Sequence, residues 1–403
     1  MDPRDTPQEA SFRAEVRDWL DRTVPRFREA YDATGESRER LKIAAEWQGA
    51  MFEAGYGAIG WPAEYGGTEG TPQQRFIVAQ ECGEVGAPWH LNMSVTLGWC
   101  APAVNDYGTP AQKERHLRRM LSGEEIWCQL FSEPNAGSDL ASVTTTATKV
   151  DGTYVVNGQK IWSSGAHWSE FGILVVRTDP QGPRYRNLTF FVCDMSLDGV
   201  EVRPITQITG ERDFCEVFFT DVQIPESQRV AEEGMGWQVT VHTLLNERIG
   251  LSGGGGMHRM VKMSWLGLLD LARRADHAGR PAIADPRVRQ QVADIYVRSV
   301  ANRWTALRTL DSVFKGRMPG PEASILKLGS DAWLQDVQHA ASEIAGLHAV
   351  GFDEPRVHHG GQWARGLLQS RAMTIGGGTT EVQKNIVGER VLGLPRDPRP
   401  ERS

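Results

Sequence analysis

The chain is short of the features that mark a stapled, membrane-spanning or nucleic-acid-binding protein. Its five cysteines, Cys82, Cys100, Cys128, Cys193 and Cys215, are odd in number, widely spaced and without metal-type pairing. That excludes a disulfide or zinc framework as the organising element and predicts reduced thiols in a cytoplasmic compartment. No uninterrupted apolar run reaches the ~20 residues a membrane helix needs. The opening MDPRDTPQEASFRAEV is charged where a targeting segment would be apolar, so neither a leader nor an anchor is expected. Positive charge is not in excess either. A formal net charge of −7 gives no general attraction to nucleic acid or an anionic membrane, while still permitting a local basic pocket for phosphates. Internal repeats and low-complexity linkers are also missing. What remains is a chain of 403 residues, 40% apolar and 24% charged. It is long enough for two or three domains at roughly 150 residues each, and its partners are expected to be small molecules or proteins.

Taken in order, the chain begins with helix signals. Thr6-Pro7-Gln8-Glu9 supplies an N-cap hydroxyl, a proline in the first turn and a glutamate that completes a capping box. Phe12, Val16, Trp19 and Leu20 then share one helix face, and the Thr-Pro signal recurs at Thr71-Pro72-Gln73-Gln74 and Thr109-Pro110-Ala111-Gln112. Residues 1–127 therefore read as a helical block, interrupted by a loop of breakers and aromatics at 60–67. From Trp127 to about Pro225 the period becomes strand-like. The runs at 172–177, 188–193, 200–205 and 214–220 are short, β-branched or aromatic and bounded by turn residues. Too little chain separates them for crossover helices, which predicts a largely antiparallel barrel- or sandwich-like β domain. Helical periodicity returns over 237–248, 257–275, 287–314, 322–346 and 380–391, with a proline- and glycine-bearing connector at 276–286. The predicted fold class is α+β with an α-β-α order: an N-terminal helical domain (1–127), a central β domain (128–228) and a C-terminal helical domain (229–403).

The stretch Cys128 to Gly165 joins two β-like runs through Ser132-Glu133-Pro134-Asn135-Ala136-Gly137-Ser138-Asp139. Asp151-Gly152 and Asn157-Gly158 are dipeptides that accept positive φ, and both are expected in tight hairpin turns. The loop combines hydroxyls, exposed backbone and a flexible glycine, the parts needed to hold the polar edge of a planar cofactor. A bare loop on a sheet carries the same parts, and at this level both readings stand.

Phe131 to Asp139 (FSEPNAGSD), followed by Asn157 to Ser164 (NGQKIWSS), resembles the acyl-CoA dehydrogenase family of flavoenzymes. Tyr107 to Lys113 and Gly376 to Gln383 (GGGTTEVQ) add to the resemblance, which covers nearly the whole chain. It implies a C-terminal domain resembling a four-helix bundle, FAD as cofactor and an acyl-CoA as substrate. Electrons would pass to an electron-transfer flavoprotein, and the assembly would be a homotetramer or a heteromer. Carried over by position, it places Gln129, Phe131, Ser132, Gly137, Ser138, Trp162 and Ser164 at the flavin, and Thr379 and Glu381 toward its adenosine. Ser138 and Arg248 would also face the substrate.

Three departures bear on activity. The position that holds the catalytic glutamate in many relatives is Gly377, which has no side chain to accept a proton. The motif that reaches a neighbouring subunit's FAD has Ala275 and Ala278 where relatives carry arginine and phenylalanine. Glu343-Ile344-Ala345-Gly346-Leu347 stands where relatives often show Gln-x-x-Gly-Gly. The resemblance supplies an alternative base. In the isovaleryl- and long-chain-type subset the glutamate comes from another helix, and Leu245-Asn246-Glu247-Arg248 matches it, with Glu247 at the base position. A water-poor pocket would raise such a carboxyl from ~4.3 toward neutrality and make it a better base. Gly377 would keep a role through its backbone N–H, which in relatives donates to the thioester oxygen. The run Gly253-Gly254-Gly255-Gly256 costs about 1 kcal/mol per helical glycine relative to alanine. It reads either as a helix end or as room at Gly254 and Gly255 for a long, branched or polycyclic acyl group. The expected reaction is α,β-dehydrogenation of an acyl-CoA to a trans-2-enoyl-CoA. An oxidase using oxygen and a non-catalytic subunit of a heteromer are the competing readings. His167, His348, His358 and His359 show no metal-site spacing and read as satisfied or surface residues.

Overall fold

Each of the three Thr-Pro signals becomes a helix N-terminus. The structure, a computed structural model, describes residues 5–253, 255–315, 320–351 and 361–396, without the side chains of 248–264 and 313. Thr6, Thr71 and Thr109 cap α1 (Pro7–Ala33), α3 (Pro72–Val85) and α6 (Pro110–Ser122), each through a complete reciprocal capping box. Between them lie α2 (Ser37–Glu53), α4 (Leu91–Ser94) and α5 (Ala101–Tyr107), with a π-helical turn at Val95–Cys100. Thr71→Ala removes one cap and should cost about 1 kcal/mol, measurable as a lower denaturation midpoint. The predicted face of α1 is buried: Val16 and Leu20 are fully enclosed, with Phe12 and Trp19 packed beside them. The 60–67 segment is a packed turn, in which a side chain on Gly67 would meet the Trp61 carbonyl oxygen at 2.0 Å.

The central region forms one sheet of strands β1 (Trp127–Leu130), β2 (Thr146–Val150), β3 (Thr153–Ser164), β4 (Phe171–Arg177), β5 (Leu188–Asp194), β6 (Val200–Ile205), β7 (Phe214–Pro225) and β8 (Arg229–Val230). Their order is β6-β7-β3-β2-β4-β5-β8, with β1 beside β4. Pairing is antiparallel except where β4 meets β1 and the end of β2. Alternation explains the continuous apolar runs of β4 and β5. Ile173, Val175, Phe190 and Val192 enter a core shared with the helices, while Leu174, Val176, Phe191 and Cys193 enter a second core on the opposite face. Both faces are covered, so both positions of the repeat are apolar.

Of the two expected turns, only Asp151-Gly152 is one, with φ of 47° and 79° at the β2–β3 hairpin. Asn157-Gly158 lies inside β3, at a shift in its register with β7. The reason is steric: Gly158 has φ 149°, and a Cβ there would come within 2.7 Å of the Thr145 Cα. A bulge needs the same backbone freedom as a turn, so the dipeptide does not distinguish them.

The chain divides into two compact units, Arg4–Gly250 and Leu251–Ser403. Helix α7 (Gly236–Gly253) contributes nearly all its length to the first unit, where Val239 is fully buried. The second contains α8 (Gly255–Arg274), α9 (Pro286–Phe314), α10 (Ala323–Ala345), α11 (Gln362–Met373) and α12 (Thr380–Ile386). Its core is built on Leu268, Leu271, Val292, Ile295, Trp333, Val337 and Ile344. Helix α11 lies outside the segments with helical periodicity. It starts after Gly361 with no side-chain cap bond, so no capping signal marks its beginning. All five cysteines are free thiols, and burial pushes those of Cys82 and Cys128 up to about 12. Among the described residues no helix is long and apolar enough to cross a membrane.

Candidate functional site

The two motif segments of the first unit meet at the start of the sheet. The 131–139 loop leaves β1 alongside β3, where the Ile161 N–H donates to the Ser132 carbonyl at 2.9 Å, and then turns through reciprocal backbone bonds between Glu133 and Ala136. The Phe131 ring is 4% exposed and packs edge-on against Phe190, 5.7 Å between centroids. Its side chain therefore belongs to the core, and what it presents at the loop is backbone. Gly137 and Ser138 are exposed at the tip, and nothing lies within 4 Å of where a Gly137 Cβ would be.

Trp162 sits at a second bulge of β3, between Lys160 and Ser163 in the register with β7. Its φ of 63° is unusual for a side-chain-bearing residue. That backbone turns the indole out of the sheet, leaving it 58% exposed with Phe214 at its edge. A bulky residue held in the left-handed region costs of order 1–3 kcal/mol, and such outliers cluster at ligand sites. Ser164 is fixed through its carbonyl, which accepts a 3.3 Å bond from the Asn92 amide. The Gln129 Nε2 on β1 is buried without a hydrogen-bond partner, and an unmatched buried donor is costly unless a ligand meets it. An exposed flat indole, an orphaned amide donor and an open glycine tip fit a planar cofactor with polar edges.

Two residues in the motifs had no role assigned from sequence. Lys160 is 0% exposed, and its ammonium donates to Glu133 at 2.9 Å and to the Phe131 carbonyl at 3.0 Å. Glu133 also accepts from the Thr144 N–H at 2.6 Å, the Thr144 hydroxyl at 2.7 Å and the Thr145 N–H at 2.9 Å. Burial alone would raise the Glu133 carboxyl, but the Lys160 charge and these donors outweigh it and lower it to about 2. Burial lowers Lys160 to about 8, against the pull of Glu133. Because the folded Glu133 pKa lies below its ordinary 4.5, its stabilisation is complete above pH 4.5 and is lost as pH falls toward 2. Thermal melts of wild type and Glu133→Gln should therefore differ at neutral pH and converge across that interval.

Glu247 is on α7 and only 7% exposed. Its helix is tied to α5 by a 2.8 Å pair between His242 and Asp106, with the Tyr107 ring 5.2 Å from the imidazole. Back-bonds from Thr240 and Thr243 to carbonyls one turn earlier support the same segment. The side chain of Arg248, and Gly254 altogether, lie outside the described residues; Gly255 is the first residue of α8.

In the second unit, Gly377 and Gly378 have φ of 66° and 93°. Thr379 caps α12 by accepting from the Val382 N–H at 3.2 Å, and Glu381 is exposed in its first turn. Gln383, fully buried, donates to the Gly377 carbonyl at 3.0 Å while its Oε1 has no partner. No local pattern marks this glutamine as a clamp. The segment carrying Ala275 and Ala278 is joined to the segment around Glu343 to Leu347 by a 2.9 Å bond between His277 Nε2 and the Ile344 carbonyl. His167 Nδ1 is 3.0 Å from the Cys215 sulfur, and His358 and His359 lie outside the described residues. Among those described, no group of three or more His, Cys, Asp or Glu could hold a metal.

Comparison with known proteins adds the family. The models of the acyl-CoA dehydrogenase N-terminal, middle and C-terminal domains match residues 6–124, 128–222 and 234–392. Acyl-CoA dehydrogenase IpdE1 of Mycolicibacterium smegmatis is 36% identical over 401 residues, spanning 96% of this chain and 98% of that protein. Among solved structures, the Tcur3481-Tcur3483 steroid ACAD superposes with a TM-score of 0.84 at 28% identity, over 98% of this chain and 100% of that one. The ChsE4-ChsE5 complex from Mycobacterium tuberculosis gives 0.83 at 29% identity, over 98% and 100%. The chain belongs to the acyl-CoA dehydrogenase family and is an oxidoreductase with FAD as its cofactor.

Proposed function

We propose that this protein dehydrogenates an acyl-CoA carrying a bulky, branched or steroid-derived acyl group to its trans-2-enoyl-CoA, with Glu247 as the base that removes the α-proton. The observation that carries the reading is a buried carboxylate on α7 in a chain whose alternative base position, Gly377, has no side chain. In a water-poor pocket a carboxylate is a better base for such a proton. The Gly377 N–H is the proposed donor to the thioester oxygen, which acidifies the α-carbon. Gln129, the backbone at Phe131 and Ser132, Gly137, Ser138, Trp162 and Ser164 would hold the flavin, and Thr379 and Glu381 its adenosine side. When bound, FAD accepts the β-hydrogen as hydride. An electron-transfer flavoprotein is the proposed acceptor, and Ser138, Arg248, Gly254 and Gly255 the proposed acyl-CoA contacts.

The steroid named for one structural neighbour and the glycines at 253–256 support the bulky acyl group. Anaerobic flavin bleaching across straight-chain, branched and steroid-side-chain acyl-CoAs tests it: the bulky thioesters should bleach the flavin fastest. Equal or faster bleaching by short straight chains would sink the substrate assignment. A heteromeric assembly is the second reading, supported by Ala275 and Ala278 in the altered motif and by the two-component complex among the neighbours. If it holds, the chain expressed alone should lose FAD and regain it with a partner chain. Peroxide formation under air, in step with substrate consumption, would indicate an oxidase instead.

A further inference from the structure

The buried Glu133–Lys160 pair needs a reason beyond stability, because replacing such a pair with well-packed apolar groups is often neutral or stabilising. Its geometry supplies one. Lys160 is the last residue of β3 in regular register with β7, paired with Val217, before the bulge that carries Trp162. From there its ammonium reaches both the Phe131 carbonyl, where the 131–139 loop begins, and the Glu133 carboxylate two residues on. Glu133 in turn takes three bonds from Thr144 and Thr145, which directly precede β2. One lysine therefore ties the entry of the loop, and through Glu133 the start of β2, to the strand position that sets the indole.

We propose that Glu133 and Lys160 are positioning residues, which hold the 131–139 loop in fixed register with the Trp162 bulge so that the two segments present one preformed surface to the cofactor. The proposal rests on the reading that these segments bind FAD. Both side chains are buried, so they would act on the cofactor through the Phe131 carbonyl and the loop backbone rather than by contact. An apolar pair would fill the same volume but would leave that carbonyl without its donor and the loop free to shift along β3.

The test uses full-length protein, purified with and without FAD, as wild type and as Glu133→Gln/Lys160→Met, which removes both charges and leaves no lone buried ion. The double variant should melt close to wild type. Without FAD, its backbone amides over 133–136 and at Ile161 should exchange hydrogen about 10-fold faster, and FAD should bind about 10-fold more weakly or worse, the effect of losing one charge-assisted bond. Wild-type exchange and wild-type FAD affinity in the double variant would overturn the proposal. If the double variant does not fold, Thr144→Val serves instead. It removes the hydroxyl donor to Glu133 at an exposed residue while the Thr144 N–H bond stays, and unchanged loop exchange there would be equally fatal. FAD added to the wild type should slow exchange at 131–139 and 161–164. Protection elsewhere would defeat the cofactor reading, while exchange without FAD would still decide whether the pair holds the loop.

Discussion

Glu247→Gln is expected to keep bound FAD and substrate affinity while slowing anaerobic flavin reduction by an acyl-CoA roughly 10²–10⁴-fold, the usual contribution of a positioned general base. Glutamine has nearly the same shape, so the packing around this 7% exposed position is preserved. What disappears is the ability to take a proton. Because the α-proton must leave before or with the β-hydride, the loss falls on the chemical step and should appear in the bleaching rate at saturating substrate rather than in substrate binding. Glu247→Asp, which keeps the carboxylate but withdraws it by one methylene, should fall between the two. Wild-type bleaching by Glu247→Gln, with flavin content and substrate binding intact, would place the base elsewhere.

Gly158→Ala should destabilise the larger unit by about 2–5 kcal/mol, the sum of a strained backbone and an overpacked contact. Its φ of 149° is one that L-residues rarely adopt, and the added methyl would lie 2.5 Å from the Thr145 hydroxyl and 2.7 Å from the Thr145 Cα. The second distance matters more, because backbone cannot rotate away as a side-chain tip can. Gly152→Ala provides the control: its φ is 79°, but nothing lies within 4 Å of the added carbon. It should cost about 1 kcal/mol or little more. Denaturant unfolding followed by tryptophan fluorescence compares the two, and equal losses would show that the contact with Thr145 is relieved at little cost.

Much of the fold could be read from short-range patterns. A Thr-Pro-x-Glu or Thr-Pro-x-Gln run predicts a capped helix because donor, acceptor and proline all lie within four residues, and each of the three runs forms the complete box. The β4 and β5 runs were legible for the same reason: side-chain alternation is a property of one strand. Helix α11 carries no such signal, because it starts after Gly361 with no side-chain cap bond. The Asn157-Gly158 error is of another kind. The dipeptide correctly marks a backbone that needs glycine, but whether that freedom makes a turn or a bulge depends on β7, more than fifty residues away.

The candidate site divides along the same line. By itself the sequence determined most element types, the capped helix starts, the paired motifs that mark the family, and the lack of a side chain at Gly377. These follow from backbone preference and from residue identity at fixed spacing. Only the tertiary structure decided that Trp162 leaves the sheet on a left-handed backbone, that Lys160 is enclosed with Glu133 and the Phe131 carbonyl, that Asn92 fixes Ser164, and that Gln383 braces Gly377. Whether a polar side chain is solvated or enclosed depends on what packs over it. For Lys160 and Asn92, that cover comes from residues 27 to 72 positions away, beyond the reach of any local pattern.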